Sequence, residues 1–163
     1  MNISAKIMLL TVTTLALFGC NQAPTIDYVK SGLAKEQQTD YQGALADYTK
    51  ATGANPKDDN AYYLKANIER FLSGDFFANH DKAIADYTKA IELNPTIPYY
   101  YLWRGMAKQE IDKDAEALAD FNEAEKRGLT ESKVLLLNRS YSKEALGDKE
   151  GAAQDRAAAD QQI

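Results

Sequence analysis

The stretch ADYTKA at residues 46–51 returns unchanged at residues 85–90, as ADFNEA at 119–124, and in worn form as QDRAAA at 154–159. Its aspartates, Asp47, Asp86, Asp120 and Asp155, are separated by steps of 39, 34 and 35 residues. Self-similarity near this period is what a stack of helical hairpins leaves in a sequence, because each hairpin buries its apolar face only against its neighbours. Around each copy, small and aromatic residues recur three or four apart, as in Ala44, Tyr48 and Ala51, which puts them on one face of a helix.

Extending each copy outward gives four units of similar layout. The first carries Tyr28 and Gly32, then Ala44, Tyr48 and Ala51, and closes on Asn55-Pro56; the second carries Tyr62 and Ala66, then Ala83, Tyr87 and Ala90, and closes on Asn94-Pro95. The third carries Tyr101, Gly105, Ala117, Phe121 and Ala124, and the fourth Leu136, Ser140, Ala152 and Ala159. This layout resembles the tetratricopeptide repeat, in which two antiparallel helices cross at small residues. The resemblance implies an all-α, right-handed α-solenoid, with repeats at about 25–58, 59–97, 98–131 and 133–163. Gly32, Ala66, Gly105 and Ser140 then mark the crossings, faced by Ala44, Ala83, Ala117 and Ala152. Overpacking such a contact costs about 1–3 kcal/mol. Departures from the family pattern are Lys35, Glu69 and Lys108 at a position often held by tyrosine, and Arg156 where the other units have an aromatic ring. The last unit reads as an end cap whose outer face meets water.

The residue before each crossing is Ser31, Lys65, Arg104 and Arg139. A basic residue in every unit but the first implies forward pairing, Asp47 with Lys65, Asp86 with Arg104 and Asp120 with Arg139. The plainer alternative is solvated charge. The second unit is longer by five residues, within residues 73–81. Phe76 there is expected to replace the packing role of Tyr41, while Phe77 and His80 read either as a contact surface or as part of a tolerated longer turn. His80 with Asp75 and Asp81 is too sparse for a metal site, so no metal and no cofactor are expected.

Ahead of the repeats, Lys6 precedes an apolar run at residues 7–18 that ends at Gly19-Cys20. A charged start, a short apolar run and a small residue form a secretory signal. Residues 17–20, LFGC, resemble a bacterial lipobox, although Phe18 departs from its usual small residue. Cys20 is the single cysteine of the chain, and acylation accounts for an unpaired secreted thiol. The resulting division is a signal peptide at 1–19, a lipidated tether at 20–24 and the repeats at 25–163. An ordinary signal peptide or an uncleaved anchor remains the alternative. Asn21 lacks the aspartate that resembles an inner-membrane retention signal, which implies the periplasmic face of the outer membrane in a Gram-negative host.

Removing residues 1–19 takes away one lysine and leaves 18 basic against 24 acidic side chains, a net charge of −6. That balance opposes nucleic-acid binding and gives no pull toward anionic lipid, leaving membrane attachment to the acyl chains. The repeat family lines a concave groove with its first helices. Carried over, this points to Ile26, Val29 and Leu33, then Asn60, Tyr63, Asn67 and Arg70, then Tyr99, Leu102 and Met106, then Leu137 and Tyr141. The lining is mostly apolar, so it lacks the lysines and asparagines with which the family clamps a terminal carboxylate. It suits an extended or helical segment of a partner protein, with Arg70 as a point of charge recognition. Tyr63, Tyr99 and Tyr141 can equally be packing residues between neighbouring helices. No nucleophile and base stand at a catalytic spacing, so an enzyme is not expected. The implied function is a membrane-anchored adaptor; a self-associating structural lipoprotein and a carrier of an apolar ligand are the rivals.

Overall fold

The computed structural model describes residues 27–72, 76–130 and 132–162, with the side chains of 76–79 excepted. Cys20, the signal and tether segments and Ile26 lie outside the described residues. Eight α-helices make up the described chain: α1 (Tyr28–Gln37), α2 (Tyr41–Ala54), α3 (Asp59–Phe71), α4 (Phe76–Leu93), α5 (Pro98–Gln109), α6 (Asp114–Lys126), α7 (Lys133–Ala145) and α8 (Lys149–Asp160). The helices start where the sequence supplies caps. Asp27, Asp40, Asp58, Ser132 and Asp148 each accept a backbone N–H from the residue three ahead, and α5 opens on Pro98. Three of the turns within hairpins pass through a left-handed residue at the same repeat position, Thr39 (φ 59°), Asp112 (φ 59°) and Gly147 (φ 87°).

Each helix packs on its sequence neighbours, and the odd-numbered helices α3, α5 and α7 also touch in succession. The result is an all-α helical-repeat solenoid. Its core has three consecutive clusters, built on Tyr48, on Tyr87 and on Phe121, each reaching into the following repeat through Ile68, Ala107 and Leu135. The small residues at the crossings are sterically required. A Cβ on Gly32 would lie 2.4 Å from the Tyr48 ring, and one on Gly105 would lie 2.7 Å from the Phe121 ring. Both rings are fully buried, as are Ala44, Ala83, Ala117 and Ala152.

The aspartates pair differently from the forward scheme. Asp47 accepts from Ser31 Oγ and Lys35 Nζ, both at 2.6 Å, and Asp86 from Lys65 Nζ at 2.7 Å. Arg104 grips Asp120 through Nε at 2.9 Å and Nη2 at 2.6 Å, with Lys108 at 2.9 Å. Arg139 holds Asp155 the same way, through Nε and Nη2 at 2.8 Å each, with Lys143 at 2.8 Å. Every aspartate is thus held within its own repeat. The reason is geometric: the basic residue precedes the crossing on the first helix and the aspartate precedes the buried ring on the second, so both stand at one contact. Lys35 and Lys108 accordingly turn into the hairpin and do not line the concave face. A link between repeats exists, but it runs backward to other groups, from Arg104 Nη1 to Thr88 at 3.1 Å and from Arg139 Nη1 to Glu125 at 2.6 Å.

The lengthened second unit is absorbed as helix: α4 has 18 residues, where α2, α6 and α8 have 14, 13 and 12. In the last repeat, Arg156 lies at the surface and bonds Glu144 at 2.6 Å, leaving α8 with an alanine-rich, watery outer face.

Gly105→Ala is expected to lower unfolding stability by about 1–3 kcal/mol. Gly53→Ala, where nothing lies within 4 Å of the added carbon, is expected to raise it by about 0.4–1 kcal/mol. Denaturant titration of the two variants checks both signs.

Candidate functional site: the first-helix face

The odd-numbered helices present the face to which the sequence reading assigned the groove. The structure separates the assigned residues into a fixed floor and exposed contacts. Leu102 is 2 % exposed and belongs to the core with Phe121 and Leu135, so it offers a partner no surface. Tyr63 is half-buried, its ring 6.1 Å from that of Tyr87 and 5.1 Å from that of Tyr100, which makes it a packing residue. Asn67 accepts the Tyr87 hydroxyl at 2.6 Å and so serves the hairpin of repeat two. Glu36 does the same for Tyr48 in repeat one.

Arg70 does not stand as an isolated cation. Its Nη1 donates to Glu110 at 2.6 Å, and its guanidinium lies 4.9 Å from the centre of the Trp103 ring. The other oxygen of Glu110 lies 2.7 Å from His80 Nε2, and His80 is 1 % exposed. Glu110 thereby joins α3, α4 and α5. The extended start of α4 is tied to repeat three by this contact and by Asp81 with Lys113 at 3.6 Å. Sequence reasoning missed Trp103 and Glu110 in this role. The signal was available in part: Trp103 sits on α5, the first helix of the repeat that follows the insertion, and Glu110 caps its end, where a longer α4 needs something to pack against.

The remaining assigned residues keep surface. Tyr141 is 61 % exposed, Tyr99 51 % and Leu33 40 %, while Val29, Met106 and Leu137 are half-buried between them. Val134, at the repeat position equivalent to Tyr99, adds a further 47 % exposed side chain that the sequence reading omitted. Most of this exposed apolar surface lies on α5 and α7. Among the described residues no group of three or more His, Cys, Asp or Glu is placed to hold a metal, and no helix is long and apolar enough to cross a membrane.

Charge on the described helices is largely spent within hairpins. The ammonium of Lys35, then the hydroxyl of Ser31, holds Asp47 down to about 2. Burial works to raise Asp155, yet Arg139 and Lys143 outweigh it and keep the carboxyl below the usual range.

Comparison with known proteins agrees with this architecture. The tetratricopeptide repeat family model matches residues 28–58 and 75–97. Solved structures of the same shape include MamA, with a TM-score of 0.72 at 19 % identity over 78 % of this chain and 71 % of that one. A MamA fragment from Desulfovibrio magneticus RS-1 gives 0.73 at 16 % identity, over 82 % and 72 %. The first repeat domain of Spaghetti (RPAP3), bound to the HSP90 peptide SRMEEVD, gives 0.68 at 22 % identity over 74 % and 90 %. No curated protein matches the sequence. The described array thus has a tetratricopeptide-repeat fold, one typical of protein–protein interaction scaffolds, and the family model itself covers parts of its first two repeats.

Glu110→Ala is expected to cost about 1–3 kcal/mol of stability, because it strips Arg70 and His80 of a shared acceptor. Arg70→Ala added to that variant is expected to cost much less than it does alone. A double-mutant cycle by chemical denaturation measures the difference.

Proposed function

We propose that this protein is a lipid-anchored adaptor of the bacterial cell envelope, attached through Cys20 and holding a segment of a partner protein on its first-helix face. The observation that carries the reading is the apolar surface left exposed on α5 and α7 by Tyr99, Val134 and Tyr141, with Leu33 at the other end of the face. Tyr99, Val134 and Tyr141 stand on neighbouring first helices of one face, and a contiguous exposed apolar surface of that kind marks a place that something covers. The partner segment is one with apolar side chains along one side, in helical or extended form. A terminal-carboxylate motif is disfavoured, because Asn67 and Arg70 are committed to Tyr87 and Glu110. In that respect the face differs in kind from one built for an acidic peptide. The anchor reading rests on the lipobox-like LFGC at residues 17–20 and on the single cysteine. The net charge of −6 on the chain after that cut gives no electrostatic route to anionic lipid, so the acyl chains would carry the attachment.

The test uses the full chain in its native envelope. Cys20→Ser is expected to move the protein from the membrane to the soluble fraction; retention in the membrane would overturn the lipid anchor. A photoreactive residue at Tyr141 or at Tyr99 is expected to capture one and the same protein, while a control at Lys89, on the second helix of repeat two, captures none. Capture of a second copy of this chain, or of lipid alone, at both positions would overturn the adaptor in favour of a structural or carrier role.

A further inference from the structure

Repeat two breaks a pattern that the other three share. Lys35, Lys108 and Lys143 stand one turn after the crossing and reach Asp47, Asp120 and Asp155. The same position in repeat two holds Glu69, which is 7 % exposed and beside Asp86. Two carboxyl groups there face one cation, since Lys65 Nζ lies 2.7 Å from Asp86 and 3.5 Å from Glu69. Lys65 from α3 and Asp86 from α4 are the charged groups that dominate the surroundings of Glu69; α2 and α5, also packed on α3, supply none of the leading influences.

Written as a carboxylate, Glu69 leaves its Oε2 buried with no hydrogen-bond partner. Written as a carboxyl, it has a proton to donate to the facing Asp86. We propose that repeat two is a pH-sensitive joint of the array, closed by a proton that Glu69 offers to Asp86 and loosened when that proton leaves to solvent. The O–H of Glu69 does there what an ammonium does in the other repeats. Burial first, with the charge of Asp86 adding to it and Lys65 opposing, pushes Glu69 up to about 7. The joint lies next to Asn67 and Arg70 in sequence, so its state bears on the floor of the first-helix face.

The sign follows from linkage. The folded state binds the Glu69 proton more tightly than the unfolded chain, so the stabilisation is complete below the ordinary glutamate value and is lost as pH rises from there through about 7. The acidic limb of the stability curve, governed by Asp47 and Asp155, has the opposite slope and lies lower.

The experiment compares the full chain with Glu69→Gln and Glu69→Lys by denaturant unfolding at about pH 5.5 and about pH 8. Gln is the isostere of the protonated carboxyl and can still donate to Asp86. Glu69→Gln is expected to exceed the parent already at the lower pH, which lies above the ordinary glutamate value, and its advantage in the folding equilibrium is expected to grow by about tenfold or more on going to the higher pH. Glu69→Lys, which restores the arrangement of the other repeats, is expected to exceed the parent at pH 8 as well. A Gln variant no more stable than the parent at both pH values would overturn the proposal. Carboxyl-carbon NMR of the unmutated chain gives a check independent of any variant. A Glu69 midpoint near neutral supports the joint, and one in the ordinary glutamate range overturns it.

Discussion

Each hairpin of this array depends on one close crossing, where a glycine, alanine or serine on the first helix lets the second helix approach within a ring's thickness. Tyr48 over Gly32 and Phe121 over Gly105 leave no room for a single added carbon. That closeness has an electrostatic consequence. The aspartate next to the ring is drawn into the hairpin, with Asp47, Asp120 and Asp155 each 5 % exposed or less, and a buried carboxylate needs a partner in reach. The first helix supplies it from the residue before the crossing, the residue one turn later, or both. Steric and ionic requirements thus fall on one contact and repeat with it down the chain. Removing one member of such a buried pair typically costs about 3–5 kcal/mol, because the other is left charged without water.

With the charges spent inside hairpins, the first-helix face is left with what the clips do not use. On α3 that face is closed by Arg70, Trp103 and Glu110 and by the hydroxyl contact between Tyr87 and Asn67. On α5 and α7 it carries exposed tyrosines and a valine. The face therefore has a rigid middle and an apolar end. The insertion contributes to this asymmetry, since the longer α4 brings His80 to Glu110 and ties repeats two and three together.

The helices and their order were legible in the sequence because the period, the crossing residues and the caps are all local signals. Ion pairing was legible only in part. The serine at position 31 drew attention to a missing predecessor, and the predecessor does matter to Arg104 and Arg139, which reach Thr88 and Glu125. Sequence separation was the better guide to the aspartates: Ser31, Arg104 and Arg139 each lie 16 residues before theirs, and Lys65 lies 21 before, lengthened by the five-residue insertion. Constant spacing marks a contact inside the unit. The candidate face was the least legible. Whether Leu102 or Tyr141 meets solvent depends on how far successive hairpins rotate against each other, and no single-repeat pattern encodes that. Arg70 read as a recognition residue because its partner, Glu110, lies 40 residues away in a different unit.

The most direct test of this account is a pair of double-mutant cycles that share Arg139, one with Asp155 in its own repeat and one with Asp120 in the repeat before. Clips inside hairpins predict a coupling of at least about 1 kcal/mol for Arg139 with Asp155 and less than about 0.5 kcal/mol for Arg139 with Asp120. The reverse ranking would mean that the aspartates join repeats and do not close them, and the stated origin of the hairpin's stability would be wrong.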